Sequence, residues 1–307
     1  MKLGCFLPQM GPSASPDAMV KVAQHAEKLG FGSVWVTDRL LYPVKPKTPY
    51  AGSADGMLPD VYKTVFDPLE SLLWVAAHTK TIRLGTSVLD IPFYNPIVLA
   101  RRTTAIDQFS GGRLTLGMGQ GWSQDEYDAT NADASKRGGR ADEFLQVLKE
   151  IWEHDPAEFS GKYFQLSKSH IAPKPVQEPH IPIYLAAFSP PAMKRVAKYA
   201  DGWHPVGLPA PAIGHMWESI RTMAKEAGRD PSKLQLSVRG NLTLLDKPAG
   251  EGRWEFTGNL DEVKQDIAAA KELKPDELVI DVTFSPQVKS ADDFMKMNEQ
   301  VFELASS

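Results

Sequence analysis

TIRLGTSVLDIPFYNPIVLARRTTAIDQFSGGRLTLGMGQGW, residues 81–122, is the stretch on which the fold turns. The apolar run 82–88 reads as a buried strand that passes into an irregular segment at 89–95. Pro96 is placed to open a helix reaching about residue 109, and Ser110-Gly111-Gly112 to stop it. A second buried strand, 113–117, ends in Gly117-Met118-Gly119-Gln120-Gly121-Trp122. Strand, helix, glycine turn and strand make a parallel βαβ unit. Both strands finish in unusual backbone on the same edge of the sheet. In parallel α/β folds that carboxyl edge is where ligands bind.

The same rhythm runs outward from this unit. Residues 3–7 form a short apolar strand. Pro16-Asp17 starts a helix whose apolar positions Val20, Ala23, Ala26 and Leu29 recur at helical spacing, and Gly30 caps it. A strand at 33–37 follows and closes on Asp38-Arg39. Further strands are expected at 183–187, 200–205, 235–239 and 277–281, with helices at 67–79, 137–154, 190–199, 212–227, 260–273 and 290–304. A small hairpin is expected at 160–164. Eight strands, most followed by a helix, predict one (β/α)8 TIM barrel spanning 1–307 as a single domain. A doubly wound sheet fits less well, because Pro8-Gln9-Met10-Gly11 after the first strand carries no glycine fingerprint. Residues 40–64 break the rhythm with four prolines and three tyrosines. A segment this long without a period, placed after a strand's carboxyl end, is expected to be a lid insertion over the C-terminal mouth.

Composition limits the functions to consider. Of 307 residues, 42% are hydrophobic and 23% charged, enough for a large core. A net charge of -4 gives no support for nucleic-acid or anionic-membrane partners. The lone Cys5 sits in an apolar run and is expected to be a buried, inert thiol. The first residues lack a signal-peptide pattern and no run of about 18 apolar residues occurs, so a cytoplasmic location without a membrane span is expected. The expected partners are a small-molecule substrate and, among macromolecules, at most a second copy of the chain in a homodimer.

Candidate chemistry lies at the strand ends. Histidines are scattered, with only His204 at a strand end, so no metal site is expected. No G-x-S-x-G elbow suggests a serine nucleophile. Asp38 ends strand two, where a carboxylate accepts a heterocyclic N–H or moves a proton, or caps a turn. Thr86, Ser87 and Val88 end strand three. Gly117, Gly119 and Gly121 let backbone approach a flat ligand, or serve the turn alone. Ala187-Phe188-Ser189 before Pro190 joins small residues, a hydroxyl and a helix N-terminus; it reads as a phosphate seat, or Ser189 as an N-cap.

Taken together, several segments resemble the luciferase-like monooxygenase superfamily. They are Ala26-Glu27-Lys28-Leu29-Gly30-Phe31 before Ser33-Val34-Trp35-Val36-Thr37-Asp38, then Leu84-Gly85-Thr86-Ser87-Val88, and Asn95-Pro96 with Leu99-Ala100-Arg101. Ser110-Gly111-Gly112-Arg113 with Gly117-Met118-Gly119, and Ala200-Asp201-Gly202-Trp203, complete the set. The likeness spans nearly the whole chain and is nearer the branch that uses the deazaflavin coenzyme F420. It implies a (β/α)8 barrel binding F420, or alternatively FMN, at the carboxyl edge. It implies Asp38 beside the ring and a non-prolyl cis peptide at Ser87-Val88. It also implies Gly119-Gln120 backbone and Ala187, Phe188 and Ser189 around ring and phosphate. Asp38 is then a candidate catalytic residue, with His204 as a candidate proton donor. Two departures stand out. Gly121-Trp122-Ser123 occupies the place of the glutamate of F420-dependent glucose-6-phosphate dehydrogenases, and Tyr94 the place of a frequent arginine. The expected function is hydride transfer between F420 and a small organic substrate. The alternatives are an FMN-dependent monooxygenase and a non-catalytic flavin-binding barrel.

Overall fold

The computed structural model describes residues 1–53 and 55–306, so the expected lid is described apart from residue 54. The chain opens with β1 (Lys2–Phe6), α1 (Pro16–Leu29), β2 (Ser33–Val36), α2 (Pro68–His78), β3 (Arg83–Asp90), α3 (Pro96–Ser110) and β4 (Leu114–Gly119). It continues through α4 (Gln124–Ala129), α5 (Arg137–Glu153), the antiparallel hairpin β5 (Ala157–Ser160) and β6 (Gln165–Ser169), β7 (Ile183–Leu185), α6 (Pro190–Tyr199) and β8 (Gly202–Trp203). α7 (Ala210–Glu226), β9 (Gln235–Asn241), β10 (Thr243–Leu244), β11 (Thr257–Gly258), α8 (Leu260–Glu272), β12 (Glu277–Asp281) and α9 (Ala291–Ser306) complete it.

β1, β2, β3, β4, β7, β8, β9 and β12 pair in parallel and close into a barrel, β1 against both β2 and β12. This is the (β/α)8 fold expected from the strand count. The helix ends follow from local chemistry. Ser15 Oγ accepts from Ala18 N at 3.1 Å, Pro16 occupies the first turn of α1, and Gly30 ends it at φ 95°. Asn95 Oδ1 accepts from Ile97 N at 3.0 Å, so α3 starts where Asn95-Pro96 places it.

The differences from expectation lie at strand ends. β3 continues two residues past Val88 to Asp90, because a bulge between Thr86 and Leu89 resets its register with β4 and pairing resumes at Leu89–Met118. β7 stops at Leu185, where the chain turns towards α6. The short parallel pair β10–β11 has no periodic sequence signal and was not expected.

Inside the barrel, Trp35, Phe6, Tyr184 and Val279 form one buried cluster. Trp35 needs the space opposite Gly85, where a methyl group would strike its ring. Cys5 is fully buried, and burial pushes its thiol well above the usual range, so it is unreactive. Among the described residues, no helix is long and apolar enough to cross a membrane.

The insertion 40–64 packs on the carboxyl end of the barrel. Met10 bridges Val65 behind it, and Tyr62, in a short 3-10 turn (Asp60–Lys63), lies 6.1 Å from the Phe284 ring beyond β12. Lys47 ties it to α4, its ammonium 2.5 Å from Asp128 and its N–H donating to Asp125 at 2.9 Å. Tyr50 rests 5.7 Å from the Trp122 ring.

Candidate active site at the carboxyl mouth

The bulge in β3 is the centre of the mouth. The Ser87–Val88 peptide bond is cis, as the resemblance implied. β4 accommodates the bulge through glycine. A Cβ at Gly117 would collide with the Thr86 carbonyl, and one at Gly119 would sit 2.7 Å from Val88 Cγ2. The glycines therefore let β3 and β4 approach each other, which accounts for them before any ligand is considered. Gly117→Ala is expected to lower stability by about 2–3 kcal/mol, because the carbonyl it meets is backbone and cannot rotate away. Urea unfolding checks this; an unchanged midpoint would mean that the bulge relaxes freely.

From across the barrel, two side chains seize Ser87. Arg239 Nη1 donates to the Ser87 carbonyl at 2.7 Å and to its hydroxyl at 3.0 Å. The same guanidinium reaches Asp281 at 2.7 Å and Asn241 at 2.9 Å, and lies 4.2 Å over the Phe6 ring. His204 Nε2 is 2.8 Å from Ser87 Oγ, and Nδ1 is 2.9 Å from the Ser237 carbonyl. The network assigns the tautomer: Nδ1–H donates to Ser237, and the Ser87 hydroxyl donates to Nε2. His204 is 1% exposed and stacks on Trp35 at 4.9 Å. Burial, with Arg239 nearby, pulls its pKa down to about 3, so the ring is neutral. Thr86 is equally committed, its hydroxyl donating to the Gly117 carbonyl at 2.8 Å.

Asp38 stands one strand over. It is 6% exposed and accepts from the Tyr94 hydroxyl at 2.8 Å and from Asp90 N at 3.3 Å. Burial raises its pKa against those two bonds. Asp90 is raised too, to about 8, by burial first and then by the Asp38 charge. The site thus holds two close carboxyl groups, one of which keeps a proton at neutral pH. Beside them Arg39 and Glu126 form a buried ion pair at 2.5 Å, and Glu126 also accepts from Leu40 N at 2.9 Å. The Arg39 guanidinium lies between the rings of Trp122, at 5.1 Å, and Tyr62, at 5.6 Å.

The remaining expected residues lie further round the mouth. Gln120 Nε2 donates to the Arg137 carbonyl at 3.1 Å, while its own carbonyl accepts from the Tyr127 hydroxyl. Ala187 is buried with its carbonyl taken by Trp203 Nε1 at 3.0 Å. Phe188 is 52% exposed. Ser189 is the N-cap residue of α6, but its hydroxyl makes no capping bond. Pro190 and Pro191 remove two first-turn N–H donors, so an anion there would depend on the Ser189 hydroxyl and the few remaining amides. The structure therefore gathers Asp38, Ser87, Val88, Gly119 and His204 tightly, and sets Gln120 and 187–189 on the neighbouring strand ends. Sequence reading missed Asp90, Arg239 and the Arg39–Glu126 pair. Arg239 had one available signal, an arginine in the carboxyl half of a buried barrel strand.

Residues 1–250 match the family described as luciferase-like monooxygenase. The chain belongs to that family. Among luciferase-like relatives, an uncharacterized protein of Mycobacterium tuberculosis is 31% identical over 255 residues, covering 81% of this chain and 89% of that one. An F420-dependent glucose-6-phosphate dehydrogenase of Amycolatopsis mediterranei is 31% identical over 192 residues, 61% of this chain and 53% of that enzyme, so the match spans about half of it. The crystal structure of the monooxygenase RslO1 from Streptomyces bottropensis superposes with a TM-score of 0.78 at 20% identity, covering 99% of this chain and 98% of that one. The family is thus one of luciferase-like oxidoreductases, and an F420-dependent dehydrogenase is among the relatives of this chain.

Proposed function

We propose that this protein is an F420-dependent oxidoreductase acting on a small organic substrate. The Asp38 carboxylate carries the reading: a buried acceptor at the mouth, fixed by Tyr94 and the Asp90 amide and next to the β3 bulge. Such a carboxylate suits an N–H of a deazaflavin ring. Val88 fits as the ring's backing, because it is half-buried between fully buried neighbours. The uncapped Ser189 hydroxyl fits as a phosphate donor. Reduced F420, when bound, supplies two electrons as hydride from a ring carbon. The relative from Amycolatopsis supports the choice of coenzyme.

The protein's own groups then divide the work. Asp38 orients. Asp90 keeps a proton beside it. Arg239 and His204 fix the bulge; His204 is neutral, buried and fully bonded, which suits positioning rather than proton delivery to a substrate. The insertion, latched through Lys47 to α4 and through Tyr50 to Trp122, acts as a lid that excludes water. The resemblance puts Gly121-Trp122-Ser123 where the related dehydrogenases carry glutamate, which speaks against a sugar-phosphate substrate.

Titration with each coenzyme tests the reading. F420 is expected to bind and FMN to bind weakly. Asp38→Ala is expected to weaken F420 roughly tenfold or more through loss of a charged hydrogen bond, and to lower the melting temperature as well, because the Tyr94 hydroxyl and the Asp90 N–H lose their buried acceptor. An FMN-dependent monooxygenase is the second reading; the description of the matching family as luciferase-like monooxygenase supports it. Tight FMN binding without F420 binding would establish it instead.

A further inference from the structure

The last ladder partners of β2 are Phe6 for Trp35 and Thr86 for Val36, so strand pairing does not reach Thr37. Gln9, 1% exposed, takes the place of a neighbouring strand. Its Oε1 accepts from the Thr37 N–H at 2.9 Å, and its Nε2 donates to the Thr37 carbonyl at 2.8 Å. One carboxamide thereby pairs with both peptide groups of a single residue, as strand backbone does. Nε2 also donates to the Phe66 carbonyl, and the Gln9 carbonyl accepts from the Phe66 N–H at 3.1 Å. Thr37 precedes the insertion and Phe66 follows it. A buried, uncharged side chain thus holds both ends of the insertion together.

The Thr37 carbonyl belongs to the planar peptide that carries the Asp38 N–H, so the bond from Gln9 fixes the direction in which the chain enters Asp38. Asp38 Oδ2 then meets the Tyr94 hydroxyl at 2.8 Å and the Asp90 N–H at 3.3 Å. We propose that Gln9 is a positioning residue for Asp38, acting through the Thr37–Asp38 peptide and not by contact with a ligand. A carboxylate that serves two protein donors and a ring N–H at once tolerates little displacement, because hydrogen bonds weaken steeply away from their preferred distance and angle. Glutamine suits the position because it supplies two N–H donors and an acceptor without charge; methionine supplies none of these, and a neutral glutamic acid only one donor. The bearing of Gln9 on the coenzyme rests on Asp38 being the coenzyme's acceptor; its bearing on Asp38 does not.

Gln9→Met keeps the length of the side chain and removes its bonds to Thr37 and Phe66. Amide hydrogen exchange of the full chain without coenzyme, followed by NMR, is the first readout. Exchange at Thr37 and at Asp90 is expected to quicken about tenfold or more beyond any change at Leu116, whose N–H donates to the Pro182 carbonyl at 2.8 Å and reports the barrel as a whole. Thr37 loses its acceptor directly, and Asp90 loses its own through displacement of Asp38. Titration with F420 is the second readout. Gln9→Met is expected to weaken the coenzyme roughly tenfold when Asp38 is present, and no further when it is added to Asp38→Ala. Gln9→Glu, which when buried and neutral keeps the acceptor and one donor, should shift both readouts less and in the same direction, and it carries both measurements should Gln9→Met fail to fold. An Asp90 amide that quickens no more than Leu116 overturns the proposal. So does an equal loss of F420 affinity with and without the Asp38 carboxylate, which would place the effect of Gln9 in the insertion alone. A wild type that does not bind F420, or an Asp38→Ala protein that binds it unchanged, refutes the coenzyme reading and leaves the exchange result to judge Gln9.

Discussion

Arg239→Met is expected to lower stability by about 3–5 kcal/mol and to abolish coenzyme binding at the mouth. The first effect comes from Asp281, which is fully buried and pairs with Arg239 at 2.7 Å. Removing one partner of a buried ion pair leaves the other charge without compensation, and that penalty exceeds anything the pair contributes when intact. The second effect comes from Ser87. Its carbonyl and hydroxyl both accept from the same guanidinium nitrogen, so the variant frees the bulge from the far wall of the barrel. Arg239→Met/Asp281→Asn separates the two. The double variant should recover most of the stability, because no buried charge remains, yet coenzyme binding should stay lost, because the Ser87 clamp is still missing. Urea midpoints and coenzyme titrations read the two effects independently. Full recovery of binding in the double variant would show that Arg239 serves Asp281 alone.

What could be read from the sequence follows from how local each signal is. The barrel was legible because each βα unit has its own punctuation: Ser15-Pro16 and Gly30 bound α1, and Asn95-Pro96 and Gly111 bound α3. These caps act within a few residues of the helix they end, so the chain states them directly. Asp38 and Ser87-Val88 were legible at the resolution of a strand end. The partners of these residues were not. Tyr94 lies 56 residues from Asp38, and Arg239 lies 152 residues from Ser87, so barrel closure alone brings them together. The glycines at the end of β4 show the opposite failure. Their spacing was open to a ligand's approach or to turn chemistry alone, while the structure uses Gly117 and Gly119 first to admit the bulge of β3. A glycine records that something comes close, but not what.

Asp90→Asn is expected to stabilise the protein at neutral pH, by on the order of 3–4 kcal/mol, and to remove a pH dependence from its unfolding. Asp90 has its pKa raised to about 8, by burial and then by the neighbouring Asp38 charge, against an ordinary value of 3.8. A raised pKa means that the folded state binds the proton more tightly than the unfolded chain does. The favourable contribution is therefore complete below about pH 4. It falls steadily as pH rises, and is fully lost above about pH 8, where the folded carboxyl must ionise too. Asparagine has nearly the same shape as the protonated acid and does not ionise, so the variant should match the wild type near pH 4 and exceed it increasingly towards pH 8. Urea unfolding of both proteins across that range gives the difference directly. Parallel curves would mean that Asp90 ionises in the fold as it does in water. Gly121 N–H is among the groups that favour its ionised form, and Arg39 is another, yet burial outweighs both. A residue that destabilises the fold at neutral pH, at the mouth of the barrel and beside the acceptor proposed for the ring, is what a stability–function trade-off looks like. Asp90→Asn should accordingly be the more stable protein and the poorer enzyme, with its turnover no longer changing as pH passes through about 8.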